Sequence, residues 1–350
     1  MKGKRIYYLL LSGEHKTLPL AEIRAILESE KVKYNIIERV GQLLRISCSF
    51  TPNKLTMLKL RAAMLHEVGL ELFYGNAKLD EILSYANQID WSFLKNKSFC
   101  VRVKKVGKTS FKIKSMELEK RVGSIILNKV RAKVNLKNPD IIIRLIIAND
   151  RFSAGILLFK IKRGVFKSRR PRNRPFFHPC SMDPVMARVL INLARCKPGT
   201  IVLDPFVGAG GIALEAASIG CYVVGIDIDN RMTKGSLINL RHFNYGEIYD
   251  CIHGDSTIKL LRDRSIDSIV TDPPYGMISS THGKRSDYIV SSLIEIAAEV
   301  LKKDGFLVFV HPQNLCLDDI IKEYGFIKME SHKVKVHASL TRIIEVCKLA

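Results

Sequence analysis

The chain has 350 residues, 47% hydrophobic and 26% charged, with 56 Lys+Arg against 34 Asp+Glu and a formal net charge of +22. At roughly 100–200 residues per domain the length accommodates two or three domains, and apolar residues are spread too evenly for extensive disorder. No apolar run approaches the roughly 18 residues of a membrane span; the short run 6–11 behind Lys2, Lys4 and Arg5 also falls below a signal-peptide core and meets Glu14, His15 and Lys16 at once.

Taken in chain order, that opening run is expected to be a strand over 4–11, followed by a helix over 18–29 and paired strands over 32–38 and 43–47. A helical stretch, 55–64, leads to a second small α+β unit. There 99–106 is a strand, and 116–130 a helix with Met116, Val122, Ile125, Ile126 and Val130 largely on one face. Strands 140–147 and 152–159 follow, separated by the turn Asn149-Asp150. Neither unit carries paired carboxylates, a nucleophile–base set or a metal cluster, so this half is expected to bind rather than to catalyse.

Charge divides the chain. Residues 1–175 hold 37 Lys+Arg and 14 Asp+Glu, a balance of +23; residues 176–350 hold 19 and 20, a balance of −1. Such an asymmetry points to a nucleic-acid-facing module joined to something else. The stretch 163–179, RGVFKSRRPRNRPFFHP, has six basic residues and three prolines. Proline restricts its predecessor to extended conformations, so an extended linker that also touches phosphate is expected here.

After the linker, helices and strands alternate. A helix over 184–194 precedes strand 200–203, helix 212–218, strand 222–226, helix 231–243, and strands 248–253 and 268–271. Helix 289–301, strand 306–310, helix 317–323 and two final strands, 327–336 and 340–347, complete an α/β, doubly wound and mostly parallel sheet closed by an antiparallel pair. The sharpest local signal is Asp204-Pro-Phe-Val-Gly208-Ala-Gly210-Gly211 between a β-branched strand and a helix. Its glycines let backbone approach a ligand at the carboxyl edge of the sheet. A phosphate-cradling loop would end in Gly-Lys-Ser/Thr, which is absent, whereas Gly208-x-Gly210-x-x-Ala213 with Asp227 downstream matches a dinucleotide fingerprint. Asp204, however, would repel a pyrophosphate and suits a cofactor carrying an ammonium group. S-adenosylmethionine offers an α-ammonium, a sulfonium and a ribose diol. Asp227 is placed to accept the ribose hydroxyls and Asp255 to accept from the adenine amine, three acids at three successive strand ends.

The fourth strand runs into Asp272-Pro273-Pro274-Tyr275-Gly276, a stiff turn holding one carboxylate and one aromatic ring. Asp272 and a proline carbonyl would accept the two N–H bonds of an amino group on a planar substrate, with Tyr275 stacking on its ring. Asp204-Pro-Phe-x-Gly-x-Gly-Gly211 together with Asp272-Pro-Pro-Tyr275 resembles the class I methyltransferases that modify exocyclic amino groups of nucleobases. His178-Pro-Cys-Ser181-Met-Asp-Pro-Val-Met-Ala-Arg188 is similar to their motif beside the methionine part of the cofactor. Val101-Arg-Val-Lys-Lys-Val-Gly-Lys108, Glu117-Leu-Glu-Lys-Arg-Val-Gly123 and Leu136-Lys-Asn-Pro-Asp140 resemble a THUMP domain, an RNA-binding module, preceded by a ferredoxin-like segment. The full order, with Thr271 before Asp272, is similar to the archaeal tRNA guanine-10 N2-methyltransferase family over nearly the whole chain. A sister family acting on guanine-6 tends to have Asn at the place of Asp272.

The resemblance implies a ferredoxin-like segment over 1–52, a THUMP domain over 53–162, a basic linker over 163–179 and a methyltransferase domain over 180–350. It implies S-adenosylmethionine as cofactor, tRNA as partner, and Asp272, Pro273, Pro274 and Tyr275 as catalytic. Cofactor contacts are expected from His178, Ser181, Asp204, Pro205, Phe206, Gly208, Gly210, Gly211, Asp227, Ile228, Asp255 and Ser256. RNA contacts are expected from Arg102, Lys104, Lys105, Lys108, Lys112, Lys114, Arg169, Arg170, Arg172 and Arg174. The polar segment 277–287 is expected to be a mobile loop near the substrate. The eight cysteines have no Cys-x-x-Cys and the nine histidines no ligand-like cluster, so a reduced, cytoplasmic, metal-independent monomer is expected.

Overall fold

The computed structural model describes residues 5–179, 181–274, 286–337 and 340–350. Tyr275 and most of the segment 277–287 therefore lie outside the described residues. The chain separates into two units, one of Met1–Pro19, Lys31–Lys59 and Met64–Ile161, the other of Leu20–Glu30, Leu60–Ala63 and Lys162–Ala350.

In the first half of the chain, β1 (Arg5–Leu11), α1 (Leu18–Ser29), β2 (Tyr34–Val40) and β3 (Leu43–Cys48) follow the expected order. Then come α2 (Pro52–Arg61), β4 (Leu65–Asn76), α3 (Leu79–Gln88), β5 (Ser98–Val106), α4 (Ser115–Lys129), β6 (Lys133–Val134), β7 (Ile141–Ala148) and β8 (Arg151–Lys160). Eight strands form one sheet in the order β2-β3-β1-β4-β8-β7-β5-β6. The two α+β units read from the sequence are thus joined through β4, which pairs antiparallel with β1 on one side and β8 on the other. Sequence patterning misses β4 because Glu67 and Glu71 interrupt its apolar run. Glu67 is buried, the Glu71 side chain is 4% exposed, and both are matched from other strands: Glu67 accepts from Arg144 Nε at 2.6 Å, and Glu71 from Arg45 Nη2 at 2.6 Å. In α4 the buried face is Leu118, Val122 and Ile126. Met116, expected on that face, is 70% exposed in the first turn of the helix and stands outside the core cluster.

The second unit also departs from expectation at its start. The basic stretch is not extended: Gly164–Ser168 forms a short helix, α5, and Pro171–Asn173 a single 3-10 turn. Phe166 is buried, and Arg169 turns back to Glu215, donating from Nε at 2.6 Å and from Nη2 at 3.0 Å. Beyond it run α6 (Pro184–Leu193), β9 (Ile201–Asp204), α7 (Gly211–Ala217), β10 (Tyr222–Asp227), α8 (Asn230–His242), β11 (Tyr249–His253) and β12 (Ile266–Thr271). The chain ends with α9 (Ser286–Val300), β13 (Leu301–Pro312), α10 (Asp318–Glu323), β14 (Phe326–His337) and β15 (Leu340–Leu349). The sheet order is β11-β10-β9-β12-β13-β15-β14. Its first five strands are parallel, and β15 pairs antiparallel with both β13 and β14, the doubly wound architecture with a closing antiparallel pair. The strand order reverses at β9, which lies between β10 and β12 and opens a crevice at their carboxyl ends.

Two segments from early in the chain complete this unit. Glu22, fully buried, accepts from Asn192 Nδ2 at 2.8 Å and from the Ala63 amide at 2.9 Å. Arg61, also fully buried, donates to Glu30 at 2.7 Å and to the Cys196 carbonyl at 2.5 Å. A fragment starting at His178 would lose these groups and Arg169, leaving Asn192 without Glu22 and Arg61 and Glu215 with Arg188 alone. Breaking a buried pair costs about 3–5 kcal/mol, so that fragment should show no cooperative urea transition. A steep two-state transition would refute this.

Candidate active site

The turn after β9 takes left-handed backbone at two of its glycines. Gly208 has φ +50° and Gly210, the residue before α7, φ +76°. A Cβ on Gly210 would stand 3.0 Å from Leu240 and 3.1 Å from Ser236 of α8, whereas one on Gly208 would meet nothing within 4 Å. The turn thus packs on one side and is bare on the other. It is tied to β10 by two donors: the Val207 amide to the Ile226 carbonyl, and the Gly208 amide to Asp227 Oδ2, each at 2.9 Å.

Asp227 Oδ1 accepts from the Asp229 amide at 2.9 Å, so the carboxylate is fixed from both sides. Asp229 itself caps α8 by accepting from the Arg231 amide at 2.7 Å. Just after β11, Asp255 Oδ1 accepts from the Thr257 amide at 3.0 Å and its hydroxyl at 2.7 Å. Ser256, buried, donates to the Pro205 carbonyl. Phe206 is half-buried, and Ile228 is 41% exposed beside Asp227. Upstream, the Ser181 amide donates to the His178 carbonyl at 3.2 Å, and the Ser181 hydroxyl is buried without a partner.

Asp204 is enclosed, 1% exposed, and accepts from the Thr271 hydroxyl at 2.8 Å and the Phe206 amide at 3.3 Å. Burial pushes its carboxyl up to about 7; the Thr271 and Phe206 bonds oppose this, and the charges of Asp227 and Asp272 add to it. Because the folded value lies above the ordinary 3.8, the protonated form favours the fold. That stability is complete below about 4 and is lost as pH rises to about 7. Asp204→Asn keeps an acceptor for Thr271 and removes the titration. The stability gap between variant and wild type should therefore shift in the variant's favour by about 3 kcal/mol between pH 4.5 and 8. Urea unfolding at both pH values measures it; a pH-independent gap would show that Asp204 stays ionised.

Asp272 follows β12 directly, and its Oδ2 lies 3.3 Å from Arg342 Nη1. Arg342 comes from β15, opposite Pro312 of β13. Nothing local in the sequence marks it, because its role depends on two strands remote in the chain. Pro273 is buried and Pro274 half-buried. Among the expected RNA contacts, Lys108, Lys112, Lys114, Arg170 and Arg172 are exposed. Arg102 instead donates to the Leu136 carbonyl at 2.7 Å, and Lys105 to that of Phe111 at 2.7 Å; Lys104 is half-buried. Arg169 and Arg174 are buried, 9% and 5% exposed, and cannot meet a phosphate backbone on the surface. Their expected RNA role is corrected: linker composition reports charge, not which side chains turn inward. Among the described residues no group of three or more His, Cys, Asp or Glu is placed to hold a metal ion.

Residues 171–343 match the RMKL-like methyltransferase domain and residues 76–156 the THUMP domain. The tRNA (guanine(10)-N2)-dimethyltransferase of Methanothermobacter thermautotrophicus is 38% identical over 97% of this chain and 98% of its own length. The chain belongs to that family. The Methanocaldococcus jannaschii protein of the same name is 34% identical, again over 97% of this chain and 98% of its own. Among solved structures, TrmN from Thermus thermophilus shares the fold with a TM-score of 0.55 and 21% identity, covering 99% of this chain and 100% of that one.

Proposed function

We propose that the chain transfers a methyl group from S-adenosylmethionine to the exocyclic N2 of a guanine in tRNA, at position 10, adding one methyl and then a second. The observation that carries the reading is the meeting of three acids at adjoining strand ends: buried Asp204 accepts from Thr271, the residue before Asp272, while Asp227 holds the Gly208 amide of the turn that follows Asp204. Membership of the family supports the same reaction. The reading implies a tRNA partner and a cytoplasmic setting; among the described residues no helix is long and apolar enough to cross a membrane.

The residues present fit the cofactor. The bare face at Gly208 gives a ligand direct access to backbone, and the acids clustered around it suit a cationic, hydroxyl-bearing group better than a pyrophosphate. Asp227 would hold the ribose hydroxyls, Asp255 the adenine amine, and Asp204 the field of the ammonium end, with Phe206 and Ile228 lining the rings. When bound, S-adenosylmethionine supplies an electrophilic methyl on sulfur.

The N2 lone pair of guanine is delocalised into the ring and is a poor nucleophile. Asp272 and the Pro273 carbonyl accept its two N–H bonds, which favours pyramidal nitrogen, aims the lone pair and stabilises charge developing on it. Arg342 orients the Asp272 carboxylate. The methylated nitrogen is acidic, so Asp272 or water takes its proton and no strong base is required. Guanine must leave its stack, and the family resemblance gives Tyr275 the role of replacing that stacking. Incubating the purified chain with labelled cofactor and tRNA, then mapping nucleosides by mass spectrometry, tests the reading. N2-methylguanosine at position 10 should precede the dimethyl form. A label on adenine, on guanine-6 or on no nucleotide would overturn it.

A further inference from the structure

Three arginines crowd one buried carboxylate beside α7. Glu215, fully buried, is held by Arg169 at 2.6 Å and by Arg188 at 2.8 Å, and Arg188 is itself 3% exposed. Arg174 stands in the same cluster, 5% exposed, and donates only from Nε, to the Arg169 carbonyl at 2.9 Å. Its Nη1 and Nη2 are buried with no hydrogen-bond partner. Burial pulls its guanidinium below the ordinary arginine range, with Glu215 opposing. Arginine nonetheless stays charged, so burying its Nη donors without partners is costly.

The position of those donors says what answers them. Nη1 and Nη2 lie 3.4 and 3.8 Å from the point where a Cβ on Gly211 would stand, and the Met182 amide nitrogen is 3.8 Å from the same point. The neighbouring Ser181 hydroxyl is likewise buried and unpartnered. The orphan donors thus collect between the glycine turn and the segment after His178, where no surface phosphate reaches. The Nη1–Nη2 edge of one guanidinium presents two parallel N–H bonds, which match a planar carboxylate bidentately.

We propose that Arg174, with the Ser181 hydroxyl, binds the carboxylate of the amino-acid moiety of S-adenosylmethionine; this rests on the cofactor reading above. The ammonium then lies toward the acids at the strand ends and the carboxylate toward the arginines, so the two ends of the zwitterion meet opposite charges. Entry beneath Ser181 and Met182 turns a costly buried cation into a specificity device: a nucleoside lacking the carboxylate gains nothing from it.

Calorimetry on the full chain tests this with S-adenosylhomocysteine, its carboxamide, and 5′-methylthioadenosine, which lacks the amino-acid portion. Arg174→Gln should weaken S-adenosylhomocysteine at least tenfold and leave 5′-methylthioadenosine within twofold. Equal loss for both ligands, or loss for neither, would overturn the assignment. Should Arg174→Gln fail to fold, the wild type decides alone: it should discriminate against the carboxamide at least tenfold, and equal affinities would sink the proposal. A wild type that binds none of the three ligands would instead refute the cofactor reading itself.

Discussion

Replacing Asp272 by alanine is expected to lower turnover by about 10²–10³-fold, the loss of one strong transition-state contact, while affinity for S-adenosylhomocysteine stays within a few-fold. The carboxylate sits at the end of β12, next to a buried proline and 3.3 Å from Arg342. Asp227 and Asp255, by contrast, are fixed by amides of the neighbouring turns. The proposed reading therefore gives Asp272 to the substrate and Asp227 and Asp255 to the cofactor. Asp272→Asn is the sharper variant, since it keeps one acceptor but adds donors that oppose the substrate amine, and it should be nearly as slow as alanine. Single-turnover kinetics with saturating cofactor, alongside calorimetry, separate the outcomes. A large rise in cofactor Kd with unchanged single-turnover rate would move Asp272 to the cofactor site.

Binding of tRNA should weaken by about 10²–10⁴-fold between 50 and 200 mM salt, the range given by five to eight neutralised phosphates, each contributing about −0.7 to −0.9 to the slope of log K against log salt. The excess charge of +23 in residues 1–175 drives this, but not every basic residue there is available. Lys112 and Lys114 are exposed, whereas Arg169 is spent on Glu215. Replacing both lysines by glutamine should flatten the slope by roughly 1.5. Arg169→Gln should leave the slope unchanged and lower the unfolding midpoint. Fluorescence titration over a salt series reads the slopes; an unaltered slope for the double lysine variant would place the phosphate contacts elsewhere.

Much of the catalytic half was legible from the sequence because its signals are local. A β-branched strand ending in Asp204 and the left-handed glycines 208 and 210 all lie within a few residues of one another. Periodicity likewise located α1, α6 and α8 and the closing pair β14–β15. The charge division and the Asp272-Pro-Pro turn needed no tertiary information.

Other features were decided only when distant segments met. β4 is a strand because Arg144 and Arg45 neutralise its two glutamates, the first from 77 residues away and the second from 26. Arg342 reaches Asp272 across 70 residues through the register of β13 and β15. Arg169 and Arg174, indistinguishable by composition from Arg170 and Arg172, are buried because α5 turns the chain toward Glu215. The proton affinity of Asp204 depends on complete exclusion of water and on the charges of Asp227 and Asp272, which other strands bring within range. Backbone conformation and apolar periodicity are set by near neighbours and can be read along a chain, whereas the cost of burying a charge depends on which remote group answers it.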